Sequence, residues 1–287
     1  MARHGEQRPV CRKESSGTVG VIADPVGFAR MRRYPSFGFT DHRGYLRHTE
    51  RLLRTLAGEA GHVRVALFDP EGFALWCARQ RLDPDSAASR ARYTAVDAAR
   101  GATLPFTGRR SLRRLLPELL VERERLRSWE RATELLGEAG GCVRCAEPLA
   151  RCAFRRAAAV LPLLLEDAGG GRRHLVCTVL VRGVPLSAAL DTPPEPTEAA
   201  TLALCAVLGV ALATGAPGGL VLRRAVDGGR TEAVGWRLEA GEVVPLTEPE
   251  VFSAYCTDPM TGDPIPPEHG VDYRDAPPLP TILCEGP

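Results

Sequence analysis

The sequence predicts an α+β protein with a helical N-terminal domain that carries a short sheet and a C-terminal antiparallel sheet packed on a buried helix. Three observations lead there. Up to about residue 157 the apolar positions recur at helical spacing behind capping residues. Beyond it, short apolar runs are joined by glycine-containing turns, the texture of strands and hairpins. The charge changes sign at the same place: residues 1–157 hold 29 Lys+Arg against 18 Asp+Glu, and residues 158–287 hold 8 against 17. A basic part of +11 is thus joined to an acidic part of −9, inside a chain of net charge +2.

Taken in order, residues 1–30 read as an extension with little structure, because Met31 opens Met-Arg-Arg-Tyr-Pro as a start would. Thr40 or Asp41 can cap a helix with Tyr45, Leu46, Leu52, Leu53 and Leu56 on its apolar face. His62–Phe68 reads as a strand. Asp69-Pro70 and Asp83-Pro84 each place proline behind an N-cap residue and so announce two helices. A short extended piece at Thr103–Phe106 leads to a long helix ending at Gly137, with Pro117 in its first turn. These elements make a basic, mostly helical domain over residues 31–141. Gly140-Gly141 and a cysteine-containing segment, 142–157, form the boundary.

The acidic domain spans residues 158–256. Ala158–Glu166 and Arg173–Arg182 read as two strands of a hairpin around the glycine run at 169–171. A helix apolar on every side, 198–214, follows Thr197 as its cap. Leu220–Val226, Thr231–Leu238 and Glu242–Pro245 then form a meander, and Thr247-Glu-Pro-Glu250 is a capping box for a last helix through Tyr255. Eight prolines among the last thirty residues describe an extended tail, 257–287.

Composition removes several mechanisms. Lys13 is the single lysine, in an unpatterned stretch, and it suits neither a P-loop, nor a Schiff base, nor a kinase strand. Asparagine is absent and isoleucine occurs three times, a bias of high-GC coding that also inflates arginine. The chain holds no Gly-x-Ser-x-Gly, no Gly-x-Gly-x2-Gly and no His-Glu-x2-His. Val19–Phe28 is broken by Asp24 and Pro25 and does not read as a signal peptide. As a helix, Ala199–Thr214 would reach about 24 Å against a hydrocarbon core of roughly 30 Å. A cytoplasmic protein with reduced thiols is therefore expected.

Three sets of side chains are candidates for function. Cys142-Val-Arg-Cys145 has the spacing of a zinc knuckle, and Cys152 offers a third thiolate. The fourth ligand would be His174 or Cys177, which point to opposite faces of one strand. The alternative needs no cofactor: Cys142, Cys145, Leu149 and Cys152 are spaced as one apolar helix stripe, and buried thiols pack as small hydrophobes. Asp69, at a strand end, reads as a helix cap rather than a catalytic carboxylate. Arg43, Arg47, Arg51 and Arg54 line one helix face, and Arg123 and Arg127 belong to a second stripe that Glu130 and Glu134 help to neutralise. These arginines are the anion- or partner-binding candidates, for an acidic protein, the chain's own acidic domain or nucleic acid. A helix–turn–helix can be drawn over Phe73–Arg92, but its turn lacks glycine, and Asp69, Glu71, Asp83 and Asp85 suit phosphates poorly.

Tyr34-Pro-Ser-Phe-Gly-Phe-Thr-Asp-His-Arg-Gly-Tyr45, with Val65-Ala-Leu-Phe-Asp-Pro70, resembles uncharacterised cytoplasmic proteins of high-GC actinobacteria. The resemblance implies an intracellular protein over residues 31–270 and brings no activity or site residues with it. The expected function is a non-enzymatic regulatory or interaction protein that docks through the basic helix face. A DNA-binding regulator using the same face is the second reading, and an enzyme for a small anionic substrate held by arginines is the third.

Overall fold

A computed structural model describes residues 17–60, 62–166, 171–193, 195–226, 229–257, 261–282 and 284. The fold is α+β, as the sequence predicts, and the chain divides into two units between Arg123 and Glu124. That division falls inside a helix rather than at Gly140-Gly141.

The first unit holds a three-stranded sheet in the order β1 (Thr18–Val21), β2 (Val63–Leu67), β3 (Thr103–Phe106). β1 and β2 are parallel, β2 and β3 antiparallel. Residues 17–30 are thus no loose extension. They supply β1 and most of α1 (Pro25–Met31), whose N-cap Asp24 accepts the Gly27 N–H at 2.7 Å. Met31, read as a start, is buried in this core with Phe28. The part of the expected extension before residue 17 lies outside the described residues.

α2 (His42–Ala60) starts where Asp41 accepts the Gly44 N–H, and it buries Tyr45 and Leu53. α3 (Pro70–Gln80) begins at Asp69-Pro70 as expected. α4 (Ala87–Ala98) begins three residues later than Asp83-Pro84 suggests. Asp83 instead turns its carboxylate onto the Asp85 N–H at 2.9 Å, an Asx turn that uses up the capping oxygen. α5 (Leu112–Gly137) likewise starts before Pro117, because the missing N–H of that proline costs a single bond so near the helix start.

The second unit pairs its strands in the order β5 (Val184–Thr192), β4 (Arg173–Val181), β6 (Gly218–Val226), β7 (Arg230–Glu239), β8 (Glu242–Pro245), all antiparallel. Alternation fixes the core face: Leu175, Cys177 and Val179 on β4, Leu220 and Leu222 on β6, and Val234, Trp236 and Leu238 on β7. α7 (Glu198–Thr214), with Thr197 as its cap, is buried continuously from Ala203 to Leu212. Leu204 and Leu208 each contribute about 1.5–3 kcal/mol of burial there.

Residues 158–166 are not a strand. They complete α6 (Leu149–Glu166), where Ala157, Val160, Leu161 and Leu164 are buried at helical spacing and Pro162 sits on the exposed side. An alanine- and leucine-rich run with one β-branched residue favours helix once such a face has somewhere to pack. The hairpin partner of β4 is therefore β5, which turns at Arg182-Gly183. α8 (Glu248–Tyr255) carries the expected capping box. The tail holds a further element, β9 (Val271–Tyr273), paired in parallel with β7. Among the described residues no helix is long and apolar enough to cross a membrane.

Candidate metal centre

The second unit gathers four thiols from three separate stretches of chain. Cys142 and Cys145 lie in a tight turn between α5 and α6. The Cys142 N–H donates to the Glu147 carbonyl at 2.8 Å, the Ala146 N–H returns to the Cys142 carbonyl at 3.0 Å, and Leu149 donates to Gly140. Ala146 takes a left-handed conformation, φ 57°, and this turns the chain straight after the second cysteine. A residue with a side chain holds that conformation at a cost, so the turn is fixed by its surroundings.

Cys152 enters from the first turn of α6, where its own N–H donates to the Pro148 carbonyl at 3.2 Å. The tail delivers Cys284. The four sulfur atoms all lie within 4.8 Å of one another, and Cys142 and Cys284 are 3.6 Å apart. Tetrahedral zinc with Zn–S bonds of about 2.3 Å spaces its sulfurs about 3.8 Å apart, so the cluster has the size of a four-thiolate site. Cys142, Cys145 and Cys152 are buried, and Arg144, Arg156 and Glu242 line the cavity beside them.

The turn also prepares one ligand. Backbone N–H groups of Cys145 and Arg144 hydrogen-bond the Cys142 sulfur, and they outweigh its burial to lower the thiol to about 6. Burial pushes Cys152 up to about 12, with its contact to Cys142 acting in the same direction. Burial raises Cys284 as well. These four cysteines can hold a metal ion.

The helix stripe considered for Cys142, Cys145, Leu149 and Cys152 does not form, since α6 starts at Leu149 and leaves the first two cysteines in the turn. Neither candidate for the fourth ligand belongs to the cluster. His174 Nδ1 pairs with Asp191 at 2.9 Å, and Cys177 faces the sheet core near Cys205. Cys284 was missed. It did carry a signal, being one of two cysteines after residue 158, with Cys256, that no strand or helix accounts for.

In the first unit, Arg43, Arg47, Arg51 and Arg54 are all exposed on α2. Arg54 pairs with Glu50 at 2.8 Å and also donates to the Gly108 carbonyl. Arg43, Arg47 and Arg51 make no ion pair among the described residues. A shallow open depression bounded by Gly44, Arg47, Glu50, Arg51 and Arg54 runs along this face. The second stripe is engaged: Arg127 pairs with Glu124 and Arg131 with Glu134, while Arg123 is partly buried. Arg125, off that stripe, donates to the Ala199 carbonyl. Asp69 accepts the Glu71 N–H at 3.0 Å as a helix cap.

A family model described as a domain of unknown function (DUF8829) matches residues 6–109, less than half of the chain. The matched span starts ahead of Met31 and takes in β1 through β3. No curated protein and no solved structure matches the chain.

Proposed function

We propose that this chain is a cytoplasmic, non-catalytic docking protein that binds an acidic protein partner through α2. One observation carries the reading: Arg43, Arg47 and Arg51 stand in line, exposed and with no ion pair among the described residues, whereas Arg54 on the same helix and Arg127 and Arg131 of the second stripe are paired. Steps of four residues place the three guanidiniums along about 12 Å of helix, a match for a short run of carboxylates. Nucleic acid fits less well. Three cations fall short of the six to ten phosphate contacts that give tight, salt-sensitive binding, and Glu50 adjoins them.

The test compares the whole chain with its Arg43→Glu/Arg47→Glu/Arg51→Glu variant, using a fluorescent poly-glutamate peptide and a random-sequence DNA duplex as probes. Peptide affinity should fall about tenfold or more on charge reversal, with duplex binding weak in both proteins. Equal peptide binding by the two proteins overturns the reading. Tight duplex binding that falls steeply with salt replaces it with the nucleic-acid reading.

Zinc is the metal this reading assigns to Cys142, Cys145, Cys152 and Cys284. Four thiolates close a tetrahedral site and leave no position for water or substrate, which suits a structural staple. When bound, zinc would supply cross-linking and no reaction step. The cytoplasmic assignment rests on the same cluster, because the described cysteines are all free thiols and a reducing compartment keeps them so. Protein purified without chelator should carry one zinc per chain, and cobalt substitution should give thiolate charge-transfer bands. Metal-free protein that binds neither ion overturns the assignment, and stoichiometric iron replaces zinc.

A further inference from the structure

The first unit contains a cavity of about 290 Å³ away from the arginine face, and it is built around one residue of β1. β1 is an edge strand. The Gly17 and Val21 carbonyls accept from Arg64 and Phe68 across the β2 side. Alternation therefore turns the backbone groups of Thr18, Gly20 and Ile22 toward the open edge. At Ile22 both groups are taken: its N–H donates to the Tyr45 hydroxyl at 3.1 Å, and His42 Nε2 lies 3.0 Å from its carbonyl. The Gly20 N–H and C=O have no partner among the described residues. Val19 and Gly20, of opposite parity, both line the cavity, so it lies beside the strand edge and not over one face.

The remaining walls are aromatic, with one imidazole and one guanidinium that has Asp85 as an electrostatic neighbour. Phe37, Phe39 and Phe68 line the cavity with Tyr45, while His48 and Arg90 also line it. Arg90 is held by one hydrogen bond to Ser36 Oγ at 3.0 Å, and Ser36 is fixed in turn by the Asp85 carboxylate. Gly20 is kept free of a side chain by α4: a Cβ there would come within 2.6 Å of Thr94 Oγ1.

From this arrangement we infer that the cavity is a binding site for a small planar heteroaromatic anion. A lactam-type edge would pair with the Gly20 N–H and C=O, the ring would lie among the phenylalanines, and the anionic group would meet Arg90 and His48. An added peptide strand is the competing occupant for an open edge. It needs a run of paired residues, and here Ile22 is already closed by Tyr45 and His42.

The probe is 2-quinolone-4-carboxylate, with 1-naphthoate as the same-sized acid lacking the lactam edge and 2-quinolone as the ring lacking the acid. Ligand-detected NMR on the whole chain should show the quinolone acid binding about tenfold more tightly than either control. Ala91→Trp, at an exposed position that lines the cavity, should abolish binding with the circular dichroism unchanged. Arg90→Met should bring the acid down to the affinity of 2-quinolone. Equal binding of all three compounds, no binding, or binding untouched by Ala91→Trp overturns the inference. None of these readouts depends on the acidic-partner assay, so the two proposals fail separately.

Discussion

Arg156 Nε donates to the Ile282 carbonyl at 2.9 Å, two residues before Cys284. The same guanidinium reaches the Leu212 carbonyl, in the last turn of α7, at 3.3 Å and the Gly241 carbonyl in the β7–β8 turn at 3.1 Å. One partly buried side chain thus ties the tail to the unit core beside the thiol cluster. Glu242, 4.0 Å away, is its nearest carboxylate, so the bonding is mainly to backbone.

Arg156→Ala should therefore do two things together. Loss of three charge-assisted bonds should cost about 2–3 kcal/mol in urea unfolding. The freed tail should also let iodoacetamide alkylate Cys284 faster in metal-free protein, as read by mass spectrometry. Arg156→Lys should rescue only part of either effect, since an ammonium lacks the planar fork that spans the three carbonyls. A stable variant with unchanged Cys284 labelling would show that the tail is held by something else.

What the sequence discloses follows from how local each signal is. Asp69-Pro70, Thr197 and Thr247-Glu-Pro-Glu250 place α3, α7 and α8 correctly because a cap and its N–H partners are at most three residues apart. The alternating runs of β6, β7 and β8 are legible for the same reason. β1 has a parallel partner more than forty residues away, and nothing within Thr18–Val21 announces it. Ala158–Glu166 carries too short an apolar run to separate strand from buried helix by periodicity, and α6 settles it by packing on α7. The thiol site divides likewise. The Cys142–Cys145 spacing is local and visible, but Cys284 joins from 142 residues away.

Two glycines should respond to alanine in opposite directions. At Gly218 a Cβ would run into the Thr178 carbonyl and lie 3.0 Å from the Val179 Cα, both backbone atoms of the paired strand. Gly218→Ala should destabilise by more than about 2 kcal/mol. Gly58 lies exposed near the end of α2, with nothing within 4 Å of its would-be Cβ. Gly58→Ala should stabilise by about 0.5–1 kcal/mol through helix propensity. Urea midpoints compared at equal slope would decide both, and a neutral Gly218→Ala would mean that β4 and β6 are spaced more widely at this end.

Glu232 makes the stability of the second unit depend on pH. Burial opposes its ionisation, but hydrogen bonds from Arg224 at 2.9 Å and Arg274 at 3.3 Å outweigh that and hold its carboxyl below the ordinary value of 4.5. A group depressed in the folded state contributes stability above its unfolded pKa and loses it as pH falls through the folded one. The wild type should therefore weaken below pH 4.5 more steeply than Glu232→Gln. Glu232→Gln should be the less stable protein at pH 7, and the gap should close on acidification. Parallel pH profiles for the two proteins would rule out the carboxylate as the source.

Asp69 separates a cap from a catalytic carboxylate. Its Oδ1 accepts the Glu71 N–H at the start of α3, and asparagine can offer the same oxygen. Asp69→Asn should stay within about 0.5 kcal/mol of wild type, and Asp69→Ala should lose about 1 kcal/mol. Hydrogen exchange should show the loss first at the N–H groups of the opening turn of α3, because that is where the donors are left without an acceptor. If alanine matched wild type in both stability and exchange, the carboxylate would be dispensable to the helix, and its place at the end of β2 would need a chemical explanation instead.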